Sequence, residues 1–109
     1  MTGRTRYTRS SGNVFADLEL PHPEERLVKA TLAIEIDRII RQRKLTQRAA
    51  ATLLGVDQPK VSRLLRGRLD GYSTERLLGF LTTLGRDIDI VVRPAPRSRR
   101  LGRLKVVAA

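Results

Sequence analysis

Apolar side chains recur along this chain in two periods, and the change from one to the other divides it. From residue 24 to residue 44 they return every three or four positions, at Leu27, Ala30 and Ile34 and at Leu32, Ile36, Ile39 and Ile40, which predicts a single helix of about six turns. Glu24 and Glu25 complement the positive end of such a helix, and Arg41, Arg43 and Lys44 its negative end. At 1.5 Å per residue it would be roughly 30 Å long, more than a small helical core covers. Its first half is therefore expected to pack on something further: a second copy, the segment before it, or a partner protein.

Residues 46–54 and 57–66 predict two shorter helices. Thr46 is placed to cap the first, with Ala50, Leu53 and Leu54 on its apolar face, and Gly55 ends it because a residue without Cβ adopts the left-handed conformation freely. Val56 fills the corner. Asp57 is expected to cap the next helix and Pro59 falls in its first turn, while Val61, Leu64 and Leu65 point inward and Gln58, Lys60, Ser62, Arg63 and Arg66 outward. A fourth helix, residues 74–84, carries Leu77, Leu78, Leu81 and Leu84 with Phe80 beside them, and Gly85 ends it. Before it, Ser73 with Arg76 in place of Glu offers only half of a capping box.

At residues 87–93, DIDIVVR, the period becomes two. Ile88, Ile90 and Val92 fall on one face of a strand, and Asp87, Asp89 and Val91 on the other. A lone strand cannot satisfy its backbone. Its partner is the same strand of a second subunit, residues 13–18, or residues 104–107.

Two short helices joined by so tight a turn make a helix-turn-helix, whose second helix enters the DNA major groove. On that reading Gln58 is placed for adenine and Arg63 for guanine, Lys60 and Ser62 lie beside them, and Gln47, Arg48, Arg66 and Arg68 are better placed for phosphates. The bland alternative for each is a solvated helix face. Two-fold DNA readers need a dimer, and an isologous ribbon through Ile88, Ile90 and Val92 makes one simply, so pairing across a dimer is the expected arrangement.

Charge refines this picture. The 109-residue chain has a formal net charge of +11, yet residues 14–92 carry 13 Lys/Arg against 11 Asp/Glu, so the excess lies mainly in the two ends. Residues 1–12 lack apolar periodicity and are expected to be a disordered basic arm, and residues 94–109, opening with Pro94 and Pro96, a basic flexible tail; either could add salt-dependent attraction to phosphates. Residues 13–25, NVFADLELPHPEE, instead set Val14, Phe15, Leu18 and Leu20 among Asp17, Glu19, Glu24 and Glu25. This arm covers its own domain's core or docks a basic partner, through Phe15, Asp17, Leu18 and Glu19 in the second case.

Other classes find no support. The chain has no cysteine and one histidine, His22, which leaves no metal cluster, no nucleophile with its base, and no expected cofactor. No stretch approaches the ~20 apolar residues of a membrane span. A cytoplasmic, non-enzymatic protein is expected.

The residues also carry a resemblance. Thr46 and Gln47, Ala50, Gly55 and Val56, Gln58, Val61 and Leu64 stand where the phage-repressor-like (XRE) helix-turn-helix family has its signature. With NVFADLELPHPEE, QPKVSRLLRG and YSTERLLGFLTTLGRDIDIVVRP in this order, residues 13–96 resemble the HigA-type antitoxin branch of that family. Pro59 departs from the pattern, because phage repressors often place a base-reading polar side chain at the second position of that helix. The resemblance implies a mainly α, lambda-repressor-like bundle of four to five helices with one C-terminal β-strand, occupying residues 13–93. It further implies a homodimeric repressor on a palindromic operator that neutralises a small RelE-like toxin; the alternative is a stand-alone XRE-family regulator without a toxin.

Overall fold

A computed structural model describes residues 5–7 and 22–108. The elements run β1 (Thr5–Tyr7), α1 (His22–Gln42), α2 (Gln47–Leu54), α3 (Gln58–Leu65), α4 (Thr74–Thr83) and β2 (Ile90–Val92). The protein is thus mainly helical, with four helices and one short C-terminal strand among the described residues.

The long helix α1 is the spine. Val28, Leu32, Ile36, Ile39 and Ile40 are all buried on one side of it and meet α3 and α4. It begins two residues before the predicted start, with His22 as its first residue and Pro23 in the turn where a missing N–H costs nothing. Its end needs no glycine: Lys44 takes a left-handed φ of 55°, and the N–H of Leu45 reaches back to the carbonyl of Ile40. Arg43, expected to act at the end of its own helix, instead donates to the carbonyl of Leu84 and ties α1 to the last turn of α4. Leu27 and Ile34 do not join the core; they are 68% and 60% exposed. At 100° per residue they lie far around the helix from Ile36 and Ile39, so one helix face cannot bury both sets.

Local signals decide the central turn. The Thr46 hydroxyl accepts from the N–H of Ala49, and Gly55 sits at φ 72°, where the N–H of Val56 bonds the carbonyl of Ala51. Two details differ from the sequence reading. Asp57 is extended as a cap should be, but its side chain makes no capping bond. Leu53, expected inward, is 43% exposed, and Ala51 is buried with Ala50 and Leu54 in its place. Small alanines let α2 approach the core closely, which turns Leu53 toward solvent. At α4, Ser73 does cap, accepting from the N–H of Arg76, so half of the box suffices.

Strand pairing departs furthest from expectation. β2 is shorter than the predicted residues 87–93, and its partner in this chain is β1, antiparallel, with Thr5 opposite Val92, Arg6 opposite Val91 and Tyr7 opposite Ile90. Residues 104–107, one of the three expected partners, do not take that edge; residues 13–18, another, lie outside the described residues. Thr and Tyr favour a pleated surface, and a short edge strand does not need the alternating apolar pattern that was absent from the arm. Residues 5–7 are therefore a strand where disorder was expected. The tail also differs: Leu104 and Val106 pack against the core instead of hanging free.

Candidate nucleic-acid interface

The outward side of α3 follows from its inward one. Val61 and Leu64 are fully buried, Leu65 packs partly against the same core, and the helix turns its opposite face to solvent. Helical geometry centres that face on Pro59, Ser62, Arg63 and Arg66, with Gln58 and Lys60 on its flanks. Gln58, Pro59, Lys60, Arg63 and Arg66 are exposed and Ser62 is half-buried. The Arg66 side chain leans back to the Ser62 carbonyl through its Nε at 3.4 Å, which holds the guanidinium along the helix. Gln47 and Arg48 are exposed in the first turn of α2, and Arg68 lies in the loop beyond α3. The structure thus brings the α3 residues onto one convex surface and leaves Gln47, Arg48 and Arg68 on the elements at its two ends. No carboxylate occupies α3.

Two residues that the sequence reading did not single out support this surface. Tyr72 is buried, 6% exposed, and its hydroxyl donates to the Lys60 carbonyl at 3.0 Å. Its ring meets Phe80 edge-on with centroids 5.9 Å apart, so it links the first turn of α3 to α4. Arg76 stacks over Phe80, 5.6 Å from the ring centre, and adds an exposed cation near α3. A tyrosine just after Gly71 gave no periodic signal, and Arg76 was legible only as the wrong residue for a capping box.

Burial raises the Tyr72 pKa above its ordinary value of 10.0, against a lowering from the nearby positive charges of Arg76 and Arg63. The folded state thus favours the neutral hydroxyl. Its contribution is complete below the unfolded pKa, near 10, and is lost as pH rises through the higher folded value. Tyr72→Phe is accordingly expected to cost about 1 kcal/mol of stability at neutral pH and to flatten the decline above about pH 10, as read by denaturant melts across pH.

Among the described residues no His, Cys, Asp and Glu side chains gather into a metal-binding group, and no helix is long and apolar enough to cross a membrane. Residues Phe15, Asp17, Leu18 and Glu19, the expected partner-binding set, lie outside the described residues.

Comparison with known proteins agrees with this geometry. Residues 14–93 match a family model described as a helix-turn-helix domain. A solved structure described as belonging to the XRE family of transcriptional regulators is 47% identical over 82% of this chain and all of its own, with a TM-score of 0.77. No curated protein matches. The chain belongs to the XRE-type helix-turn-helix family and, as a DNA-binding helix-turn-helix protein, is not an enzyme.

Proposed function

We propose that this protein is a transcriptional repressor that binds a palindromic operator as a homodimer and also serves as the antitoxin of a type II toxin–antitoxin pair. The observation that carries the DNA-reading half is the outward face of α3, cationic and free of carboxylates, on a helix fixed from behind by Val61, Leu64 and Tyr72. Arg63 and Gln58 read bases there; Lys60 and Ser62 assist; Gln47, Arg48, Arg66 and Arg68 hold phosphates. Pro59 contributes shape and no hydrogen bond.

The dimer forms through the edge of β2 that β1 leaves open, giving a four-stranded ribbon across the two-fold axis with Ile90 and Val92 at its centre, while Ile88, just before the strand, packs on its own domain's core. Val92 is 56% exposed in the single chain, which suits it to such a contact. Val92→Glu should therefore leave the fold intact while weakening the dimer about tenfold or more, since it sets like charges near each other across the axis. Sedimentation at micromolar concentration reads this, and an unchanged dimer would move the interface elsewhere.

The antitoxin half draws on the acidic and apolar arm before α1, where Phe15, Asp17, Leu18 and Glu19 would dock a small basic toxin. Co-expression with the product of any small reading frame that adjoins its own tests it: rescue of growth and co-purification are expected, with both lost in Phe15→Ala/Leu18→Ala while operator binding persists. One observation favours the second reading, a regulator without a toxin. Three α1 carboxylates are already paired along the helix, Glu25 with Lys29, Glu35 with Arg38 and Asp37 with Arg41, and so offer a basic partner less. No co-purifying neighbour would decide for it.

A further inference from the structure

Arg76 stands where the local pattern asks for an acid. It is the third residue of α4, the position at which a carboxylate would complete the Ser73 cap and complement the positive end of the helix. Glu75 supplies the acid of that turn, and Arg76 sets a cation beside it. The Ser73 hydroxyl accepts from the Arg76 N–H at 3.0 Å, which fixes its backbone in the first turn. Four residues on, the Phe80 ring takes its guanidinium at 5.6 Å from the ring centre. Stacking uses the flat face of a guanidinium and leaves its in-plane N–H donors free. None of the ion pairs among the described residues includes Arg76, and its side chain is exposed.

A second cation comes to the same place. Tyr72 is pressed edge-on against Phe80 and donates to the Lys60 carbonyl in the first turn of α3. Arg76 from α4 and Arg63 from α3 both lie close enough to Tyr72 for their charges to act on its hydroxyl, yet burial outweighs them and keeps it neutral. The phenol therefore offers neither cation a counter-charge, and α3 carries no carboxylate to supply one. Two like charges held near each other repel, and an anion with several acceptor oxygens beside them removes that cost.

We propose that Arg76 is a further DNA contact, holding a backbone phosphate beside the groove that α3 enters, and that it is the positioning residue that sets the angle of α3 there. The route from grip to helix is short. The guanidinium lies on Phe80, Phe80 meets Tyr72 with centroids 5.9 Å apart, and Tyr72 reaches the Lys60 carbonyl at 3.0 Å. Both rings are 6% exposed, so a pull on Arg76 is passed to α3 through packed side chains and not through a loop. Phosphate contacts of this kind fix register and orientation while base contacts specify. The proposal rests on the reading of α3 above and adds what orients Gln58 and Arg63 within it.

The test uses the full-length chain, the duplex upstream of its own reading frame and a shuffled duplex of equal composition. Arg76→Gln should lower the salt slope by about one on both duplexes. It should also reduce the ratio of the two affinities by about fivefold or more, the low end for one base contact, with the melting temperature held within about 4 °C. Arg76→Lys should restore the slope, because the charge returns, but not the ratio, because an ammonium neither stacks flat nor forks. In Tyr72→Phe, which cuts the tie to Lys60, adding Arg76→Gln should change the slope and leave the ratio where Tyr72→Phe put it. An unchanged slope with a lowered melt would overturn the proposal and make Arg76 a packing residue. A changed slope with the ratio intact, or a further fall in ratio in the double variant, would overturn the positioning role. A wild type that does not discriminate between the duplexes defeats the reading of α3 and the positioning role with it; a discriminating wild type whose slope and ratio survive Arg76→Gln defeats this proposal alone.

Discussion

Leu64→Ala should destabilise the protein by about 3 kcal/mol, within the ~2–5 kcal/mol observed for truncating a buried leucine. Leu64 is 1% exposed and faces the core from α3, which packs on both α1 and α2. The cavity opens where three helices meet, and each is held by a different device: Arg43 on Leu84 for α1 and α4, Gly55 for the bend between α2 and α3, Tyr72 for the start of α3. With so many ties the site is poorly able to collapse, which puts the cost in the middle of the range instead of at its lower end. A shift in melting temperature of about 10 °C or more is expected for a domain of this size. A loss below about 1 kcal/mol would mean that α3 is not seated as described.

Arg63→Ala should weaken operator binding by about 1–3 kcal/mol, the range for a bidentate base contact, with little effect on stability. Arg63 is exposed at the centre of the outward face of α3, one residue before Leu64 and on the other side of the helix. The pair therefore separates folding from reading: Leu64→Ala should act on the melt, Arg63→Ala on the DNA. The residues assigned to phosphates should behave differently. Arg68→Ala should reduce affinity for specific and non-specific duplexes alike and lower the salt slope by about one. If Arg63→Ala shows that same uniform pattern, Arg63 holds a phosphate and the base reading belongs elsewhere on α3.

The helical part of the fold was legible because each element carries its own local marks. Thr46, Gly55, Pro59 and Gly85 mark where the helices start and stop, and the apolar period supplies Val61, Leu64, Leu77 and Leu81 to the core. What escaped depends on distant parts of the chain. Nothing near Thr5 signals that it will lie opposite Val92, and nothing near Leu104 signals that its N–H will donate to the Glu24 carboxylate. The failure at Leu27 and Ile34 has another cause. Seven apolar positions on one helix are too many for one face, and periodicity does not say which subset the neighbouring helices will cover. Asp57 illustrates a third limit: residue type gave the cap position and the extended backbone, but not the side-chain bond. The candidate interface was readable as an outward face in the pattern of α3. Its support by Tyr72 was not, because a single aromatic residue in a loop has no period to reveal it.

The central claim is that α3 reads sequence while the folded core, nearly neutral in charge, contributes little bulk attraction. Binding of the full-length protein to the duplex upstream of its own reading frame, against a shuffled duplex of equal composition at about 150 mM salt, tests this most directly. A specificity ratio of about 10³ or more is predicted, with protection of two half-sites about 34 Å apart, centre to centre, for a two-fold reader. Equal affinity for both duplexes, with binding that vanishes steeply as salt rises, would contradict it and leave a protein that holds DNA by its basic ends alone.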